Sequence, residues 1–409
     1  MFDNGSRAVR QGIGTMAVGV QATGTGMIDA RTGGALVAEI VPDLAAAEAL
    51  WRRLETDPAS LQTPYQRFDW TSAYLRGTGH LDTARVAVLR DAAGRARILL
   101  PLTLQRRLGV CVAQTIGDTH ANYHMPLFAT RDAAAIPHDA IVGALVRAGR
   151  QAGIDVYALR HQPRMWEAVS NPLALWGEPE ASDAYGLMLG PDPEGTVRRV
   201  FSADARKKLR SKEKRLVETK GAIVYRRAET TEEAARFLAA FYAQKSARFA
   251  GMGIADPYAD PSIQAFLEAA ASGVDPALEM HALCLAESGR VLATFGGAVN
   301  ERRFSGMMTA FDADPEIARC SPGDLLLQHL VRDQTARGRQ GFDLGVGEAR
   351  YKASICDETI SLMEVMIPVT VVGRTYAAAR RSLTRTKRRI KRDPRLYAVV
   401  QRLRSLRRS

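Results

Sequence analysis

An alternating apolar run over residues 85–90 is followed by a polar turn ending in Gly94-Arg95 and then by a second apolar run over 96–102. Two such runs on either side of a polar, glycine-bearing turn predict a β-hairpin. The same shape recurs over 280–297, where the turn ends in Gly289-Arg290. Downstream of each hairpin the apolar period lengthens to that of a helix, over 137–152 and 322–337. A short apolar run follows each helix, at 154–159 and 341–344. The pattern predicts one α/β unit used twice, with matching glycines 195 residues apart.

Between the copies, 206–220 reads as a charged helix in which Leu209 and Leu216 lie a heptad apart. A solvent-facing helix and a grip on an anionic substrate are both open for it. A second helix, over 231–249, puts Phe237, Leu238 and Phe241 on a core stripe. Tyr242, Lys245 and Arg248 follow at i, i+3 and i+6, turned towards a cleft. Residues 1–34 are rich in Gly, Thr and Ala without a periodic apolar stripe, so disorder is expected there. Their Gly12-Ile13-Gly14 and Gly24-Thr25-Gly26 pairs sit in no G-x-G-x-x-G context and read as linker. The expected division is therefore 1–34, a first domain 35–192, a second domain 193–372 and a tail 373–409.

A chain of 409 residues is long enough for two cores without disulfide or metal support. Cys111, Cys284, Cys320 and Cys356 are dispersed, with no CxxC pair, and suggest a reduced, cytoplasmic setting. No run of eighteen uncharged apolar residues predicts a membrane span. The net charge of +12 points to nucleic acid only until it is located. From Gly373 onward there are fourteen Arg or Lys and one Asp, so residues 1–372 carry about −1.

The second copy holds the chemistry-bearing sequence. Ser321 has the composition of an N-cap, Pro322 suits the first helical position, and Asp324 completes a capping-box spacing. A helix start offers N–H groups and partial positive charge to a phosphate. Gly323 removes a side chain from that approach, and Arg319 adds a cation just before it. Asp324 places a carboxylate in the same turn and fits least well.

Here the sequence resembles the FemAB-like branch of the GNAT superfamily, in particular the CelD-like acetyltransferase domain associated with cellulose and exopolysaccharide biosynthesis. The matching residues are Ala310-Phe311-Asp312, Ser321-Pro322-Gly323 with the following leucines, Phe342-Asp343-Leu344-Gly345 and Tyr351-Lys352. Weaker likeness reaches back to Phe68–Trp70, Leu100-Pro101-Leu102 and 206–221. The resemblance implies an α/β (α+β) fold of two tandem GNAT-like units with mixed sheets flanked by helices, plus the basic helical C-terminal tail. It also implies acyl-CoA as co-substrate, without a metal. The donor would lie where two parallel strands, 304–311 and 342–344, splay apart. Its contacts would come from Thr309, Phe311, Arg319, Ser321, Pro322, Gly323, Asp324 and Leu325. The first copy lacks a glycine at its helix start and is assigned to the acceptor side.

GNAT chemistry is direct attack of a nucleophile on a thioester, so orientation and a proton route matter more than a triad. Asp343, with Glu348 as rival, is the expected base or acceptor-orienting carboxylate; a structural role for Asp343 is equally open. Tyr351 would protonate the leaving thiolate, and Lys352 would hold an anionic group. The loop 117–124 packs Asp118, His120, Tyr123 and His124 together and reads as an acceptor loop or an ordinary polar loop. Its histidines lack an H-E-x-x-H pattern, and no metal site is predicted. Tyr242 and Arg248 join the expected acceptor residues.

Over 393–404 apolar residues fall on one helical face, and the segment before it is strongly basic, which suggests peripheral attachment of 374–409 to an anionic inner-membrane surface. RNA is the alternative partner, because some FemAB-like enzymes take aminoacyl-tRNA as donor. The leading expectation is an acyl-CoA-dependent N- or O-acyltransferase acting on a sugar, polysaccharide precursor or other polar acceptor. An aminoacyl-tRNA-dependent peptidyltransferase and a non-catalytic envelope polysaccharide accessory protein are the competing readings.

Overall fold

The computed structural model describes residues 36–347 and 350–392. The strands that matter for the site are β1 (Val37–Val41), β2 (Ala84–Arg90), β3 (Ala96–Arg107), β4 (Val110–Thr115), β5 (Val156–Pro163), β6 (Ala184–Met188), β7 (Ile223–Arg227), β8 (Leu278–Leu285), β9 (Val291–Val299), β10 (Arg303–Phe311), β11 (Gly341–Val346), β12 (Glu358–Ile360) and β13 (Leu362–Pro368). The helices used below are α1 (Leu44–Glu55), α2 (Phe68–Gly77), α3 (His138–Gln151), α4 (Pro193–Val200), α5 (Ala203–Lys220), α6 (Thr231–Gly251), α7 (Pro261–Ala270), α8 (Pro322–Ala336) and α9 (Val371–Arg392).

Both expected hairpins form, as β2–β3 and β8–β9, and both crossover helices form, as α3 and α8. The first sheet runs β1-β2-β3-β4-β5-β13, edged by Glu178–Pro179; the second runs β7-β8-β9-β10-β11-β6-β12. Each sheet is antiparallel except for one parallel pair, β4 with β5 and β10 with β11. In each pair only three residues are in register, 112–114 against 156–158 and 303–305 against 341–343, after which the strands diverge. The tandem repeat seen in the periodicity is thus a repeat of mixed sheets with a splayed parallel pair.

The expected boundary at 192/193 does not separate the sheets. β6 lies before it yet pairs with β11 and β12 of the second sheet, while β13 returns from the far end of the chain to pair with β5 of the first. The boundary at 372/373 is likewise crossed, because α9 starts at Val371 and packs on the first sheet. Ala377 is buried there, and Arg380 and Thr384 bond Glu364. The rest of the basic tail, like residues 1–34, lies outside the described residues. One continuous apolar cluster joins Trp70, Tyr123 and Tyr157 of the first half to Phe237, Phe266 and Met308 of the second. A second cluster, between α4, α5, α8 and the other face of the second sheet, includes Leu209, Leu216, Phe304 and Leu330. Leu209 and Leu216 are therefore the apolar anchor of α5, whose remaining residues are largely solvated.

Candidate functional site

The splay between β10 and β11 has local causes. Opposite Gly296 and Gly297, β10 carries an extra residue, Met307, which makes a β-bulge where pairing with β11 ends. On the other strand Gly345 and Gly347 adopt φ of +78° and +101°, a region that glycine enters without steric cost. Into the gap projects Asn122 from the first unit. Its amide donates to the Gly306 carbonyl (2.9 Å) and the Tyr65 hydroxyl (2.7 Å), and its oxygen accepts from the Val346 N–H (3.4 Å). One side chain thus holds both diverging strands.

Beyond the bulge Thr309 and Phe311 are exposed on β10. A Cβ built on Gly323 would meet nothing nearer than Phe311 Cδ1 at 3.9 Å, so the first turn of α8 is open on that side. Arg248 of α6 lies over the Phe311 ring at 5.7 Å, and Arg319 is exposed without an ion pair among the described residues. Gly323, Phe311 and Arg248 thus share one rim, with Thr309 on the same strand as Phe311 and Arg319 just before the helix start. Lys212 of α5 joins them, its Nζ donating to Ser321 Oγ at 2.6 Å. That contact brings the charged helix to the N-terminal end of α8.

The capping box is not formed. Ser321 sits in the left-handed region (φ 50°, ψ 57°), makes no side-chain cap, and has its hydroxyl taken by Lys212. Its carbonyl instead accepts from the N–H groups of Asp324 and Leu325 (3.0 and 3.2 Å). Pro322 has no N–H, which leaves Gly323 as the first-turn donor with no partner among the described residues. Asp324 is exposed and accepts no first-turn N–H there, while the Leu325 side chain is buried in the core under α8.

Asp343 is fully buried. It is bound by Arg303 through Nε (2.9 Å to both oxygens) and Nη2 (2.5 Å), and it accepts from Ser305 Oγ. Arg303 crosses over Gly186 of β6 to reach Glu358 Oε2 (2.5 Å) and lies 4.5 Å from the Trp166 ring. A carboxylate with both oxygens committed in a dry interior is a structural charge, so the base role expected of Asp343 is corrected. Glu358, which the sequence reading missed, is the carboxylate of this network that keeps solvent contact, with a quarter of its side chain exposed. Lys352 is also reassigned: its buried ammonium donates to the Gly345 and Val346 carbonyls (3.0 and 3.2 Å), and burial lowers its pKa. It clasps the end of β11. Glu348 and the Tyr351 side chain lie outside the described residues, although the short helix Arg350–Ile355 is present.

The loop 117–124 divides. Tyr123 is buried against the Arg303–Asp343 network, and burial together with the Asp343 charge raises its pKa. It is therefore not open to a substrate, contrary to the expectation for it. His120 packs among Tyr74, Tyr258 and Phe266. Asp118 and His124 line a cleft of the first unit. Tyr242 is half-buried with no partner for its hydroxyl among the described residues. Lys245 faces Phe241 and Phe249, and burial lowers its pKa. A large cavity, about 510 Å³, opens at the opposite ends of β10 and β11, around Arg302 and Glu279, away from the Gly323 rim.

The splayed parallel pair, the bulge in its first strand and the open helix start beyond it lie within one stretch of the chain. Residues 203–353 match the acetyltransferase (GNAT) domain. That match spans α5, which supplies Lys212, through β11 and the clasp on its end. Among solved structures, FemX is 9% identical, with 82% of this chain and 98% of that one covered at a TM-score of 0.55. The C-terminal domain of a putative lysylphosphatidylglycerol synthetase from Agrobacterium fabrum is 11% identical over 76% and 90% of the two chains, at 0.44. A tandem GNAT protein from the clavulanic acid biosynthesis pathway is 12% identical over 81% and 99%, at 0.39. At such identity the FemX likeness is one of fold. None of the curated proteins compared matches the sequence. The molecule thus has two mixed sheets, each with one splayed parallel pair, and the stretch that matches the GNAT acetyltransferase domain holds most of the second.

Proposed function

We propose that this protein transfers an acyl group from acyl-CoA to an amine or hydroxyl of a polar acceptor. The observation that carries this reading is the rim at the splay of β10 and β11. There Gly323 offers an open helix start, with Arg319, Lys212 and Arg248 around it for the phosphates and the exposed β10 edge from Thr309 to Phe311 for the pantetheine amides. The thioester then lies towards the bulge at Met307, beside Asn122, where the acceptor arrives from the first unit. A sugar or polysaccharide precursor is the acceptor class favoured by the CelD-like resemblance.

Calorimetry with acetyl-CoA and longer acyl-CoAs tests the donor. Saturable binding is expected, and Gly323→Glu should abolish it by steric block and like-charge repulsion while leaving the melting temperature unchanged, because the new Cβ has space. No binding by the wild-type chain would remove the acyl-CoA reading. A second reading, aminoacyl-tRNA as donor, is favoured by α9, where 374–392 carries nine basic residues and no acid. Its sign would be binding of charged tRNA without binding of any acyl-CoA. The same basic surface supports attachment to an anionic membrane. Among the described residues no helix is long and apolar enough to cross a membrane. Flotation with anionic liposomes should compare the full chain with one carrying Arg374→Glu, Arg381→Glu and Lys387→Glu, since removing α9 would uncover the first sheet.

A further inference from the structure

A second cleft, of about 350 Å³, lies in the first unit where β4 and β5 part after Gln114 and Ala158. α9 roofs it. Three arginines from separate elements meet there: Arg107 at the end of β3, Arg160 on β5 and Arg380 on α9. Arg160 is answered by Asp118 in the wall (3.0 Å) and Arg380 by Glu364 behind it (2.7 Å). Among the described residues Arg107 has only the neutral Gln105 oxygen (2.7 Å). The cleft thus keeps one uncompensated guanidinium, and the Nε of Arg380 is buried with no partner among the described residues. Guanidinium groups that converge without enough carboxylate suit a phosphate, which takes several N–H donors at once.

His124 adds a second requirement. It is 4% exposed and lines the same cleft. Its Nδ1 faces the Arg160 carbonyl (3.2 Å) as well as Thr115 Oγ1 (2.9 Å). A carbonyl only accepts, so the ring proton belongs on Nδ1 and Nε2 is left as an acceptor. Nε2 is buried with no partner among the described residues. Such a nitrogen is satisfied by a ligand hydroxyl.

We propose that this cleft binds a hydroxylated phosphate ester, with Arg107, Arg160 and Arg380 taking the phosphate and His124 Nε2 accepting from the hydroxyl. The site belongs to the first sheet and does not rest on the acyl-transfer reading. A free polyol phosphate and a phospholipid headgroup share this chemistry. The exposed Arg374, Arg381 and Lys387 of α9 are on the helix that roofs the cleft.

The experiment uses the full chain carrying Gly323→Glu, so that the donor rim does not contribute, and titrates it calorimetrically with sn-glycerol 3-phosphate. One saturable site is expected, with at least tenfold weaker binding after Arg107→Glu and after His124→Phe. Arg107 is exposed and holds only Gln105, so its variant should fold and, with Gly323 restored, should bind acetyl-CoA as the parent does. Inorganic phosphate should bind at least fivefold more weakly than the ester. Absence of a saturable site, or an affinity unmoved by Arg107→Glu, overturns the proposal; equal affinity for inorganic phosphate overturns the hydroxyl contact. Vesicles containing phosphatidylglycerol that displace the ester, and lose that effect with Arg107→Glu, identify the lipid as source. Ester binding that vesicles leave untouched identifies the free ester.

Discussion

Arg303 shows how one side chain can carry the junction of two units. It neutralises Asp343, reaches Glu358 and lies against Trp166, and all of this happens where four strands meet the first unit. Removing one partner of a buried pair leaves the other charge without compensation, at a cost of about 3–5 kcal/mol. Arg303→Ala should lower the urea unfolding free energy by that amount, whereas Asp343→Asn should cost less because its carbonyl still accepts from Arg303. Glu55, at the large cavity, makes a pH prediction. Burial pushes its carboxyl up to about 7, although Oε2 accepts from the Phe68 N–H (2.6 Å). The folded state therefore holds this proton more tightly than the unfolded chain, whose value is near 4.5. Stability from this group is present below about 4.5 and is lost as pH rises to about 7. Glu55→Gln should gain on the wild-type chain by about 1–3 kcal/mol across that window, read from urea midpoints. Single residues were the least legible part of the sequence. Ser321 has cap chemistry, but Lys212, more than one hundred positions earlier, takes its hydroxyl. Asp343 looked like a base because its partner Arg303 lies on another strand.

At the scale of elements, the hairpins and crossover helices were legible because periodicity is local, and each of these elements buries one face. The splay itself was not, since it depends on a bulge at Met307 and on a wedge from the other unit. Asn122 is that wedge. Asn122→Ala should remove three hydrogen bonds and cost about 1–3 kcal/mol of stability. Because it frees both strands where the acyl group would lie, acetyl-CoA affinity should fall as well. Calorimetry showing unchanged affinity in a folded variant would separate the wedge from donor binding. The bulge and Asn122 together account for why an ordinary parallel pair stops after three residues.

For the whole molecule, strand exchange is the governing fact. Periodicity singled out neither β6 nor β13, and it carries no information about partners lying some 150 to 200 positions away. The two units therefore looked separable at 192/193. The structure predicts that they are not. A chain of 35–192 lacks β13 and α9, and one of 193–372 lacks β6. Each should show the broad, shifting amide resonances of an unpacked chain, while 35–392 should give a dispersed spectrum and one cooperative melt. The exchange also has a consequence during synthesis. The β5 edge leaves the ribosome roughly 200 residues before β13 arrives to cover it, a wait of about 10–40 s at ordinary elongation rates. For that interval an apolar strand edge is open to pairing with any other nascent chain, which makes the first half of this protein a client for chaperones until its last strand is made.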